Sequence, residues 1–250
     1  MTRRCNAACS FCQAPNTSRV ELSVAQIGTV AERLAAASVR SLKVSGGEPT
    51  TRADLPEIIH TTATSGLRPV VITNGISLDS TVLDMMVAHD AEFKFSIHRP
   101  DARNDRVLRV RAFDRVLANL ATCRRRHIAF SLNTVVTSRT VDMMAAMTEF
   151  AAAQGARKIS FIPVVPRGRA VRSGDHIDED RLREVHRRVE TLRGTYSGRL
   201  LVRCIDIRHH DYWIVENDGA LWIERAREGL DVRVCGLNEL IGLPGRTVEK

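Results

Sequence analysis

The chain has 250 residues, 44% of them apolar, enough to bury one full core. No apolar run approaches the ~20 residues of a membrane span, and no apolar leader precedes the cysteines that begin at residue 5, so a cytoplasmic protein is expected. The formal net charge of +8 is carried almost wholly by arginine, with lysine only at 43, 94, 158 and 250; this favours anionic partners, while 4% aromatic residues are too few for a base-stacking platform and argue against nucleic acid.

The first local signal is "CNAACSFC" (5–12), which sets Cys5, Cys9 and Cys12 within eight positions and offers no fourth ligand nearby. Ser23 with Gln26 reads as a capping box. It opens a helix whose Ile27, Val30, Ala31 and Leu34 share one face. "SLKVS" (41–45) predicts a strand, "ADLPEIIHTTATSG" (53–66) a helix ended by Gly66, and "PVVIT" (69–73) a second strand. A helix near 79–88 precedes the strand "EFKFSI" (92–97), and a longer helix aligns Phe113, Val116, Leu117 and Leu120. "IAFSLNTVV" (128–136) is a strand, 140–154 a helix and "KISFIPVV" (158–165) a strand.

Strands alternating with helices of this length imply parallel pairing through crossovers. Right-handed crossovers curl such a sheet towards an α/β barrel. "PRGRAVRSGDH" (166–176) reads as a connector, dividing a barrel at 1–166 from a remainder at 167–250. In that remainder Leu182, Val185, Val189 and Leu192 mark a last barrel helix. "LLVRCIDI" (200–207), "YWIVE" (212–216) and "ALWIER" (220–225) read as short strands of an α+β extension, with "NDG" (217–219) a turn.

Three physical readings compete for the cysteine triplet. Structural zinc wants four closed ligands, usually from paired C-x-x-C units, and only Cys9 and Cys12 form such a pair. A redox C-x-x-C leaves Cys5 idle. An iron–sulfur cluster takes thiolates from closely spaced cysteines, and three on a four-iron cube leave one iron open. The remaining cysteines, Cys123, Cys204 and Cys235, are scattered through a long chain and read as buried thiols, not a disulfide framework.

The spacing C-x-x-x-C-x-x-C, with Asn6 after the first cysteine and Phe11 before the third, resembles the signature of the radical S-adenosylmethionine (SAM) enzymes. "SGGEPT" (45–50) after a strand resembles that family's GGEP motif, and "ITNG" (72–75), "FSIHRP" (95–100) and "SLNTVV" (131–136) resemble later family strands in order, most closely in the molybdopterin-precursor cyclase-like branch. The resemblance implies a partial (βα)6-type barrel and a [4Fe-4S] cluster on Cys5, Cys9 and Cys12. That cluster reductively cleaves SAM to a 5′-deoxyadenosyl radical, which takes hydrogen from a substrate. It further implies SAM contacts at Phe11, Gly46, Gly47, Glu48, Pro49, Asn74, Ser96, Asn133 and Ile162, with Gly46–Glu48 at the SAM amino group and Ile162 by the adenine.

The implied partners are a small-molecule substrate, an anionic one in keeping with the charge, and an electron donor such as flavodoxin or ferredoxin. A peptide substrate is the alternative, as is a non-catalytic iron–sulfur protein acting as a sensor or nucleic-acid binder. His98, standing where relatives carry an acid, is a candidate substrate contact, as are His209, His210 and Tyr212 in "RHHDYW" (208–213). Two departures from the family stand out. No C-terminal C-x-x-C is present for a second cluster, and only four residues precede Cys5. The first barrel strand is therefore expected to be truncated, and a natural start upstream of Met1 is expected.

Overall fold

The computed structural model describes residues 1–13, 20–208 and 211–242. In chain order the elements are α1 (Val24–Ala36), β1 (Ser41–Val44), α2 (Leu55–Thr64), β2 (Arg68–Thr73), α3 (Ser80–Ala88), β3 (Glu92–Ser96), α4 (Asn104–Leu108), α5 (Phe113–Arg125) and β4 (Phe130–Val136). They continue with α6 (Met144–Ala153), β5 (Lys158–Pro163), α7 (Ala170–Ser173), α8 (Glu179–Thr195) and β6 (Leu201–Cys204). Last come β7 (Tyr212–Val215), β8 (Leu221–Glu224), β9 (Val232–Cys235) and α9 (Leu237–Gly242). Among the described residues no helix is long and apolar enough to cross a membrane.

Strands β1 to β6 pair in sequential order, every neighbour parallel, as a partial barrel. The expected capping box at the start of α1 is present, with the Gln26 amide donating to Ser23 Oγ at 3.2 Å and the Ser23 amide to Gln26 Oε1 at 2.9 Å. The helix expected over 140–154 begins as a single 3-10 turn at Val141–Met143 before α6. One strand departs from expectation. "LLVRCIDI", read from the sequence as part of the tail, supplies β6, whose Leu201 to Cys204 pair with Lys158 to Phe161 of β5. Among the described residues the separate antiparallel sheet therefore comprises β7, β8 and β9.

Strand alternation divides the parallel sheet into two faces. Phe93, Phe95, Leu132, Ile159, Phe161 and Val202 are fully buried in the apolar core that the helices cover. Each large side chain so buried contributes roughly 1.5–3 kcal/mol. The opposite, inner face is polar: Glu92, Lys94, Ser131, Asn133 and Ser160 are all buried there. An inner face of this kind exists to meet something other than hydrocarbon.

Candidate active site

The carboxyl ends of β1 to β5 run into the segments that the sequence singles out, which is where α/β barrels assemble their chemistry. After β1 the chain turns through Gly46 and Gly47 because residues 2–4 pass directly against it. A Cβ on Gly46 would lie 2.3 Å from the Thr2 carbonyl oxygen, and one on Gly47 2.1 Å from that of Arg4. The close approach is used: the Gly47 amide donates to Thr2 O at 2.7 Å and the Glu48 amide to Arg4 O at 2.8 Å. The residue after this docked segment is Cys5.

Glu48 ties that turn to the end of β2. Its Oε1 accepts from Thr73 Oγ1 (2.7 Å), Thr50 Oγ1 (2.9 Å) and the Thr50 amide (3.1 Å), and its Oε2 accepts from the Asn74 amide (2.7 Å). Pro49 follows as the buried first residue of a 3-10 turn. Burial raises the Glu48 carboxyl above its ordinary range, opposed by the donors from Asn74, Thr73 and Thr50. Glu48, expected at the SAM amino group, is 1% exposed and held by the protein's own donors.

The cysteine loop is fastened at several points. Asn74 Nδ2 donates to Asn6 Oδ1 at 2.6 Å, the Ala8 amide to Leu108 O at 2.9 Å, and Ser10 Oγ to Asp175 Oδ2 at 3.1 Å. Phe11 meets the His98 ring edge-on, with centroids 4.9 Å apart. Cys5 is exposed, Cys9 and Cys12 half-buried, and the Ala7 amide donates to Cys5 Sγ at 3.4 Å. Burial pushes the Cys5 thiol up and the Cys9 thiol to about 12, with the neighbouring cysteines adding to the effect. These thiols hold their protons until a cation replaces them.

His98 is part of the wall. It is 5% exposed, its Nδ1 accepts from the Val135 amide at 3.2 Å, and burial lowers its pKa to about 4. Among the described residues its ring thus meets Phe11 and the Val135 amide. Ser96 and Asn133 are paired across β3 and β4, and Ile162 lies opposite Val135 on β5. Among the described residues the Ser96 hydroxyl has no hydrogen-bond partner, and the buried Asn133 Oδ1 has none either. Tyr212 is half-buried at the start of β7, its ring 5.8 Å from Lys43 Nζ. His209 and His210 lie outside the described residues. Cys123 is fully buried, but Cys204 on β6 and Cys235 on β9, expected to be buried, are only half so.

Sequence reasoning passed over the connector. Arg167 is buried, its guanidinium donating to both Asp231 oxygens (2.7 and 2.8 Å) and to the Arg225 carbonyl (2.8 Å). The Arg169 amide donates to Cys12 O at 2.9 Å. Gly168, at φ 52°, sits where a Cβ would come within 2.5 Å of that same carbonyl oxygen. The Gly-Arg run is thus a clamp joining the cysteine loop to the small sheet. Its one legible signal was a glycine flanked by arginines. Between these parts lies a cavity of about 920 Å3, lined by Arg3, Gln13, Arg167, Arg169, Trp222 and Glu224 among others.

The donor set suits an iron–sulfur cube. Among the described residues no three His, Cys, Asp or Glu side chains close on a single metal ion. Three soft thiolates on one fastened loop suit the wider triangle of a cube with one corner left open. The orphaned Asn133 oxygen, on the polar inner face of β4, suits a polar guest beside it.

A partial parallel barrel with a three-cysteine loop over its strand ends defines a class of cluster-bearing α/β scaffold. Residues 1–151 match the family described as the Radical SAM superfamily, and the chain belongs to it. It is 32% identical over 174 residues to a probable GTP 3′,8-cyclase of Metallosphaera sedula, covering 67% of this chain and 55% of that protein. It is 31% identical over 180 residues to a PqqA peptide cyclase of Ruegeria pomeroyi, covering 69% and 48%. The chain thus spans about half the length of these relatives. The solved structure of tagged anSMEcpe with bound AdoMet superposes with a TM-score of 0.73 at 14% identity, over 98% of this chain and 79% of that one, a likeness of fold.

Proposed function

We propose that this chain is a SAM-cleaving radical enzyme acting on a small molecule. The observation that carries the reading is the knit of the cysteine loop to Gly46–Glu48, Asn74 and Arg169. Cys5, Cys9 and Cys12 hold the [4Fe-4S] cluster. When bound and reduced, that cluster supplies the electron that splits SAM into methionine and the 5′-deoxyadenosyl radical.

The chain's own residues then bind and orient. The turn at Gly46 and Gly47 brings backbone close to the SAM methionine, and Glu48 with Pro49 holds that turn in shape. Asn74 couples it to the cysteine loop through Asn6. Ser96 and Asn133 supply a hydroxyl and an amide to the polar part of SAM, and Ile162 forms an apolar wall for the adenine. Phe11, braced by neutral His98, keeps the loop closed against water. The electron comes from a flavodoxin or ferredoxin, and six free cysteines suit a reducing, cytoplasmic setting.

A peptide substrate is the second reading, favoured by the 920 Å3 cavity between the cysteine loop, the connector and the small sheet and by similarity to a protein named as a peptide cyclase. The test is anaerobic reconstitution with iron and sulfide, chemical reduction and addition of SAM. Formation of 5′-deoxyadenosine supports the proposal. An intact cluster that never cleaves SAM would leave the sensor reading in its place.

A further inference from the structure

Lysine occupies only four positions in a chain holding 37 lysines and arginines together. Three of the four lie on the inner face of the barrel. On β3 the fully buried Phe93 and Phe95 take the helix side, so Lys94 takes the inner side. By the same alternation Lys158 lies opposite Ile159 and Phe161 on β5, Lys43 opposite Val44 on β1, and Arg203 opposite Val202 on β6.

Lys94 lies within electrostatic reach of Lys43, which is exposed, and of Lys158 and Arg203, and the four have little to neutralise them. Lys94 is 4% exposed, and among the described residues it has no hydrogen bond or ion pair. The carboxylate on its own face, Glu92, is engaged elsewhere: Oε1 accepts from Ser131 Oγ at 2.7 Å, and Oε2 lies 4.0 Å from Arg68. Arg203 donates Nε to Ser160 Oγ at 2.9 Å, and Lys43 rests over the Tyr212 ring. Burial, then repulsion from Lys43, Arg203 and Lys158, lowers Lys94 to about 8. A buried ammonium without a counter-charge is costly, and an anion entering the barrel would supply one.

We propose that the barrel interior is a phosphate subsite, in which Lys43, Lys94, Lys158 and Arg203 receive the phosphate group of a small phosphorylated substrate. Four cations against one engaged carboxylate call for a group carrying more than a single negative charge. A phosphate ester meets that need, and flexible lysine ammoniums suit its oxygens. Lys94 stands two residues before Ser96 on the same face, about 7 Å away. A substrate anchored there would hold its far end towards the strand ends. Only that placement rests on the SAM reading above; the anion subsite stands without it.

The scarcity of lysine makes the test direct. The full chain, reconstituted but unreduced and labelled with 13C at the lysine ε carbons, is titrated with pyrophosphate and, separately, with citrate. Single Lys43→Met, Lys94→Met and Lys158→Met variants assign the signals. The expected result is one saturable curve shared by all three signals, at lower concentration for pyrophosphate than citrate, and at least tenfold weaker binding in Lys94→Met. Linear, non-saturating shifts, or tighter binding of citrate, would overturn the proposal. If Lys94→Met does not fold, the wild-type titration still decides. Reducing aliquots of the same samples and assaying 5′-deoxyadenosine with SAM separates the two claims: absent anion binding with retained SAM cleavage refutes only the subsite.

Discussion

Substituting Gly47 by alanine should empty the cysteine loop of iron while leaving the barrel folded. The added Cβ would lie 2.1 Å from Arg4 O, where ordinary contact begins at 3.4 Å, so the Arg4 backbone must retreat by about 1 Å. Such a retreat breaks the bonds from the Gly47 amide to Thr2 O (2.7 Å) and from the Glu48 amide to Arg4 O (2.8 Å). At about 1 kcal/mol each, their loss costs about 2 kcal/mol and reduces the docked population of residues 2–4 by a factor of about 30. Because Cys5 follows Arg4 directly, one of the three thiolates then leaves the site. The assay is iron and sulfide content with visible absorption after anaerobic reconstitution, alongside a thermal melt. Full iron content in Gly47→Ala would refute the claim that the glycine turn positions the cysteines.

Other outcomes follow from the same geometry. Arg167→Met strips the half-buried Asp231 of its bidentate partner, at a cost of about 2 kcal/mol; limited proteolysis should cut between β8 and β9 far faster than in the native chain, and unchanged cleavage would deny the clamp. His98 is held neutral in the fold, with a pKa of about 4 against an ordinary 6.5. Its contribution is therefore complete above about pH 6.5 and is lost as pH falls towards 4, amounting to about 2 kcal/mol by pH 5. Urea midpoints at pH 7.5 and 5 should show that extra loss in the native chain and not in His98→Asn, which keeps an acceptor near the Val135 amide; equal losses would contradict the assignment. Asn74→Ala should cut both the link to Asn6 and iron retention, with the melting temperature lowered by only a few degrees.

Features carried by local pattern were readable from the sequence, and those made by distant partners were not. Strands β1 to β5 announced themselves through β-branched runs between periodic helices. β6 was legible as a strand but not as a barrel strand, because only its pairing with β5, and nothing local to its four residues, assigns it to the parallel sheet. The GGEP turn was legible because two adjacent glycines signal close approach, although not that the Thr2 and Arg4 carbonyls make it. Arg167 looked like part of a linker because its partners stand 58 and 64 positions away. His98 drew attention by standing where relatives carry an acid, but its contacts with Phe11 and the Val135 amide, made by distant segments, were not legible. The inner lysines were visible as a count but not as a cluster, since three separate strands bring them together.

The central claim is that Cys5, Cys9 and Cys12 hold one cube whose open corner takes SAM. Electron paramagnetic resonance of the anaerobically reconstituted, reduced protein tests it most directly. A low-temperature [4Fe-4S] signal that changes on adding SAM, and that is absent from Cys9→Ala, is the predicted result. A cluster signal that ignores SAM, or that survives in Cys9→Ala, would contradict it.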